Sequence, residues 1–135
     1  MLTTGNYAET YEESFLSMPE KTEQVGAKQG APFVIAERAK EYIQTHYPEK
    51  FSLDQMATAL FVNKIYLSKC FKQATGGTLL KYHHKIRCAK ACELLKTTDL
   101  SVEIISDRVG YATASHFART FRGIYHCSPI EYRKK

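Results

Sequence analysis

The sequence predicts an all-α domain: seven helices in two similar units joined by a long central helix. Three observations carry this. From Pro32 onward apolar residues recur at helical spacing, and no segment sustains period-two alternation. Capping residues and helix breakers punctuate the chain at regular intervals. The chain also resembles itself at an offset of 50 residues.

Pro32 suits the first turn of a helix running to about Tyr47. Ile35, Ala39, Tyr42 and Ile43 form its apolar stripe, and Pro48 ends it. Ser52-Leu-Asp-Gln55 reads as a capping box opening a short helix to about Leu60. Asn63 is the candidate N-cap of a third helix to about Ala74, which Gly76-Gly77 stops. Thr78 caps a long fourth helix to about Lys96. Ser101 caps a fifth to about Val109, and Gly110 breaks it. Thr113 caps a sixth to about Tyr125. Ser128-Pro-Ile-Glu131 is a second capping box, with proline at the first helical position of a last short helix.

A chain of 135 residues is one domain, or one domain with a tail. A catalytic barrel needs about 250 residues and is excluded. The composition, 44% hydrophobic and 24% charged, is that of a globular protein. No apolar stretch approaches the ~20 residues of a membrane span, and the N-terminus lacks the apolar core of an export signal. Residues 1–31 differ from the rest. They carry five Glu against two Lys, and read as an acidic flexible tail or linker. A short helix over Ala8–Met18 fits within them, with Tyr11, Phe15 and Met18 on one face. Residues 32–135 carry 17 basic and nine acidic residues, net +8. That balance favours a polyanion, either nucleic acid or an anionic surface. The four cysteines, Cys70, Cys88, Cys92 and Cys127, show no secreted-framework spacing and read as reduced cytoplasmic thiols.

The internal repeat defines the architecture. Leu67, Lys69, Phe71, Lys72, Thr78 and Tyr82 match Phe117, Arg119, Phe121, Arg122, Ser128 and Tyr132. Upstream the offset falls to 49, so the second copy has one extra residue near its turn. There Ser52, Leu53, Asp54, Met56 and Leu60 match Ser101, Val102, Glu103, Ile105 and Val109. Each copy is a short helix, a tight turn, and a helix with basic residues on one side and Phe on the other. That is a helix-turn-helix unit, over about 52–74 and again over about 101–125. In such units the second helix enters the DNA major groove with its N-terminal part. The linking helix, about 78–96, has 19 residues and is roughly 28 Å long at ~1.5 Å per residue. Major-groove faces on one side of the duplex recur every ~34 Å. A single chain is then expected to serve two adjacent grooves, on a site that need not be palindromic. The six aromatic and leucine positions Leu67, Phe71, Tyr82, Phe117, Phe121 and Tyr132 are expected in the core.

Two stretches carry a family likeness. One is Val109-Gly-Tyr-Ala-Thr-Ala-Ser-His-Phe-Ala-Arg-Thr-Phe-Arg followed by Ser128-Pro-Ile-Glu-Tyr-Arg133. The other is Leu53-Asp-Gln-Met-Ala, Tyr66-Leu-Ser-Lys-Cys-Phe-Lys, Gly76, Ile86-Arg87 and Ala91-Cys-Glu-Leu-Leu95. Over about residues 33–135 the chain resembles the DNA-binding domain of AraC/XylS-type transcription regulators. The resemblance implies two homeodomain-like helix-turn-helix subdomains that bind double-stranded DNA near promoters, with RNA polymerase as a partner. It implies base reading by Ile65, Ser68 and Lys69 in the first copy, and by Ala114, Ser115, His116 and Arg119 in the second. The chemistry agrees. Lys69 and Arg119 can donate to guanine O6 and N7, the Ser and His side chains can bond several bases, and Ile65 or Ala114 can touch a thymine methyl. Lys64, Lys72 and Arg122 are better suited to phosphates. The short side chains Ile65, Ala114 and Ser115 point to readout of DNA shape beside base contact.

The chain departs from the family pattern at two turns. Phe61 stands where glycine is usual in the first turn, and His126 where glycine follows the second recognition helix. A positive φ is costly for Phe and milder for His.

His84, Cys88 and Cys92 recur every four residues, a spacing that could line up zinc ligands or a redox sensor. Helical drift spreads them, and Cys88 occupies an apolar slot, so no metal or other cofactor is expected. Arg87 is either an anchor for the flanking units or a phosphate contact. No nucleophile-base pair, phosphate-cradling loop or paired catalytic carboxylates occur, so no enzyme is expected. A DNA-repair methyl acceptor would need a cysteine-rich module upstream, and residues 1–31 hold no Cys. Two rival classes stay open: a protein-interaction module that binds RNA polymerase or another partner, and a non-specific DNA binder of the bacterial nucleoid. Residues 1–31 are too short for a sensing domain. The chain reads either as a stand-alone cytoplasmic regulator or as the DNA-binding end of a longer one with an upstream regulatory domain.

Overall fold

A computed structural model describes residues 30–135. The expectations for the acidic tail and for a helix over Ala8–Met18 lie outside the described residues. Those described form seven α-helices and no strand. They are α1 (Ala31–His46), α2 (Leu53–Ala59), α3 (Lys64–Thr75), α4 (Leu79–Thr97), α5 (Val102–Arg108), α6 (Ala114–Tyr125) and α7 (Pro129–Lys134). The domain divides into two units. Residues 30–46 and Phe51–His83 make the first; Tyr47–Lys50 and His84–Lys135 make the second.

The helices begin where local chemistry starts them. Ser52 Oγ accepts from the N–H of Gln55 at 3.1 Å, and Asn63 Oδ1 from Ile65 at 2.8 Å and Tyr66 at 3.2 Å. Thr78 Oγ1 accepts from Lys81, Ser101 Oγ from Ile104 and Thr113 Oγ1 from His116. Each cap satisfies a backbone donor that the helix itself leaves unpaired. At Ser128 both halves of the capping box are made, with Glu131 Oε1 accepting from the Ser128 N–H at 2.8 Å. The Glu131 carboxyl is held below the usual carboxylate range, chiefly by that backbone bond.

In the first unit α1 and α2 both pack on α3. Ile35, Ala36, Ala39 and Ile43 of α1 meet a core that includes Met56, Leu67 and Phe71. Tyr42, expected on that stripe, is only half-buried and stacks on His46 at 4.0 Å. Tyr82 is buried edge-on to Phe71 at 5.7 Å, and its hydroxyl accepts from Gln44 Nε2 at 2.9 Å. Arg38 donates to the Leu60 carbonyl at 3.0 Å, closing the end of α2.

The second unit repeats this plan with α5, α6 and α7 around Ile105, Val109, Phe117, Phe121 and Ile124, joined by Cys88, Ala91 and Leu95 of α4. Each fully buried Phe removes enough apolar surface from water to contribute about 1.5–3 kcal/mol. Tyr132 corrects an expectation: it is half-buried, not core. It lies against Phe121 at 5.6 Å and Tyr125 at 5.8 Å, with Lys96 Nζ 5.2 Å from its ring centre. The six-residue α7 offers too little surface to enclose it. Arg133 beside it donates to the carbonyls of Leu95 and Thr98 at 3.0 and 3.1 Å, capping the end of α4.

Both departures from glycine adopt the conformation glycine would have supplied. Phe61 has φ 60° and His126 φ 64°. Gly76 and Gly110, at the matching positions of the opposite copies, have φ 82° and 107°. The turns therefore keep their shape, and the two non-glycine residues carry the strain.

Candidate nucleic-acid interface

Helices α3 and α6 hold the expected base-reading residues, and each has one buried and one exposed side. In α3, Leu67, Cys70, Phe71 and Thr75 face the core. This leaves Lys64, Ile65, Lys69 and Lys72 exposed, with Ser68 half-buried among them. In α6, Phe117, Phe121 and Ile124 face the core. Ser115, His116, Arg119 and Arg122 are exposed, and Ala114 is half-buried. Positions 65, 68, 69 and 72 follow the i, i+3, i+4, i+7 rule for one helix face, as do 115, 119 and 122. Every residue singled out from sequence thus reaches solvent on its own recognition helix.

The cations differ in their company. Lys64 Nζ lies 3.0 Å from Asp54 of α2, and Arg122 lies 3.5 Å from Glu131 of α7. Both pairs are exposed and screened by solvent, so each is weak and yields readily to a stronger anion. Among the described residues Lys69 and Arg119 have no ion-pair partner. Their charges project unneutralised from matching positions of the two copies.

His116 has a built setting that sequence reasoning missed. Its ring meets Tyr111 edge-on at 5.2 Å and His84 at 6.1 Å. His84 Nδ1 and the Tyr111 hydroxyl are hydrogen-bonded at 2.7 Å. Burial, then the nearby Arg87 and His116, pull the His84 pKa down to about 4, so His84 is neutral at pH 7. Burial likewise pushes the Tyr111 phenol up. Tyr111 comes from the turn that holds the extra residue, and nothing in its sequence context signalled the pairing.

Arg87 resolves as an anchor. It is 6% exposed, and its Nε and Nη2 donate to the carbonyls of Tyr47 and Glu49, both at 2.7 Å. Its guanidinium also lies 4.9 Å from the centre of the Tyr111 ring. Cys88 is fully buried, and burial pushes its thiol up to about 12, far from a reactive thiolate. No group of three or more His, Cys, Asp or Glu among the described residues is arranged to hold a metal ion. No helix among them is long and apolar enough to cross a membrane.

Residues 56–135 match the model of a helix-turn-helix domain family. The chain is 35% identical over 100 residues to the HTH-type transcriptional regulator YisR of Bacillus subtilis, which covers 74% of this chain and 35% of that protein. It spans about a third of the length of several curated relatives it matches. Among solved structures, it is 39% identical to the C-terminal domain of AraT, a response regulator from Geobacillus stearothermophilus, with a TM-score of 0.71 over 74% of this chain and 84% of that one. A transcriptional regulator with an AraC-type DNA-binding domain from Chromobacterium violaceum gives the same TM-score at 28% identity, covering 74% and 89%. The matched family is a helix-turn-helix domain of transcription regulators, which is not an enzyme class. With its repeated all-helical units and these likenesses, the chain belongs to the AraC-type helix-turn-helix family.

Proposed function

We propose that this chain is a sequence-specific double-stranded DNA-binding transcription regulator that reads two adjacent major-groove segments with α3 and α6. One observation carries the reading. Two repeat-related helices each present an exposed basic strip, and each strip contains a cation without an acidic partner among the described residues, Lys69 in one and Arg119 in the other. Ile65, Ser68 and Lys69 read bases in the first block; Ala114, Ser115, His116 and Arg119 read the second. Lys64, Lys72 and Arg122 bind phosphates and set register. Lys64 and Arg122 exchange their weak surface partners for the phosphate backbone, which releases counterions and makes affinity fall steeply with salt. RNA polymerase is the partner such a regulator acts on. Residues 32–135 are the DNA-binding domain, and residues 1–31 an acidic tail or linker.

Selection from a random duplex pool near physiological salt tests this, run beside Arg119→Ala. The expected result is one asymmetric site with two short blocks about a helical turn apart. Arg119→Ala should cost about 1–3 kcal/mol on that site and little on random DNA. Equal, salt-driven losses on every sequence would mean non-specific binding. No effect on either would leave a protein-interaction module.

A further inference from the structure

Phe61 is the most conspicuous side chain that the proposed interface does not use. It is 90% exposed, the largest exposure among the described large hydrophobic residues. It also sits at φ 60°, a conformation a phenylalanine adopts only at a cost. Neither burial nor backbone ease accounts for the side chain. The matching position of the second copy is Gly110, whose backbone has the same sign of φ and no room for a side chain. The first copy thus carries a strained, solvent-exposed phenyl group where glycine would serve the turn better.

Its neighbourhood narrows what it is for. Phe61 precedes the N-cap Asn63 by two residues, so it stands at the N-terminal end of α3, the end that enters a groove. The first turn of α3 adds two more exposed apolar residues, Ile65 at 66% and Tyr66 at 43%. Lys69 and Lys72 lie on the same exposed face of this helix as Ile65, and Lys64, paired with Asp54, adjoins Ile65 in its first turn. An apolar patch edged by cations does not suit a second copy of a basic chain or an apolar protein groove. It suits a polyanion that displays apolar groups. In a duplex major groove the only such group on a base edge is the thymine methyl.

We infer that Phe61 is a specificity-determining residue: with Ile65 it packs on a thymine methyl beside the block read by α3. This rests on the DNA-reading function proposed above. The test is paired selection and equilibrium binding by fluorescence anisotropy, using the full chain and Phe61→Gly. Glycine relieves the positive φ, so the variant should unfold at higher denaturant while binding its site about five- to tenfold more weakly, the scale of one apolar base contact. Selection with the parent chain should enrich a thymine flanking the first block that Phe61→Gly fails to enrich. Replacing that thymine by deoxyuridine, which removes only the methyl, should weaken the parent by a similar factor and Phe61→Gly, which keeps only Ile65 on that methyl, by clearly less. Equal affinity of the two proteins for the selected site would overturn the inference alone. So would a loss that is the same on random DNA, or unchanged DNA affinity with reduced transcription, which would assign the ring to a protein partner. A parent chain that selects no site would overturn the function and the inference together.

Discussion

The two helix-turn-helix copies solve one geometric problem with different residues. In both, the second residue after the first helix turns left-handed and its N–H bonds three residues back: Phe61 to the Thr58 carbonyl and Gly110 to Asp107, each at 3.1 Å. The next N–H bonds five back, Val62 to Ala57 and Tyr111 to Ser106, each at 3.0 Å. Backbone geometry is thus common property of the repeat. What differs is enclosure. At Gly110 an added Cβ would stand 2.6 Å from the Pro48 carbonyl oxygen and 2.8 Å from Arg87 Nη2. At Phe61 the side chain is out in solvent. A left-handed turn open to solvent accepts a side chain at the cost of backbone strain; a left-handed turn under a fixed backbone leaves room only for glycine.

The contrast can be broken most severely at Gly110. Gly110→Ala adds an unfavourable φ and a clash with backbone that cannot rotate away, and should destabilise by about 2–4 kcal/mol in denaturant unfolding. Removal of the Arg87 guanidinium comes next. Arg87→Met keeps the stem but strips two charge-assisted bonds from the Tyr47 and Glu49 carbonyls, and should cost about 2–3 kcal/mol. It should leave DNA affinity per folded molecule unchanged, because the group is buried. A phosphate-contacting arginine would behave in the opposite way. The smallest effect is expected at the helix end. His126 takes the role that Gly76 plays in the first copy, each donating to the carbonyl four residues back at 2.8 Å. His126→Gly should therefore raise stability by up to about 1 kcal/mol, read as a later unfolding midpoint with an unchanged slope.

These residues also mark how far the sequence could be read. Helix limits were legible because their causes are local: Ser52, Asn63, Ser101, Thr113 and Ser128 cap from within three residues, and Gly76 stops α3 where it stands. The strain at Phe61 and His126 was legible from the family resemblance, which puts glycine at both turns. The exposed faces of α3 and α6 followed from helical period. What stayed hidden depends on partners distant in the chain. Whether Arg87 anchors or binds phosphate turns on carbonyls 40 and 38 residues away. The seat of His116 on Tyr111 and His84 brings α4, a turn and α6 together. The half-burial of Tyr132 depends on how little surface a six-residue helix provides.

The central claim is that the two copies read separate blocks of one DNA site. A double-mutant cycle tests it most directly: Lys69→Ala and Arg119→Ala, each measured on the selected duplex and on duplexes with one block scrambled. Each variant should lose about 1–3 kcal/mol while its own block is intact, and almost nothing once that block is scrambled. Losses that ignore which block is present, and that shrink alike as salt rises, would contradict the account.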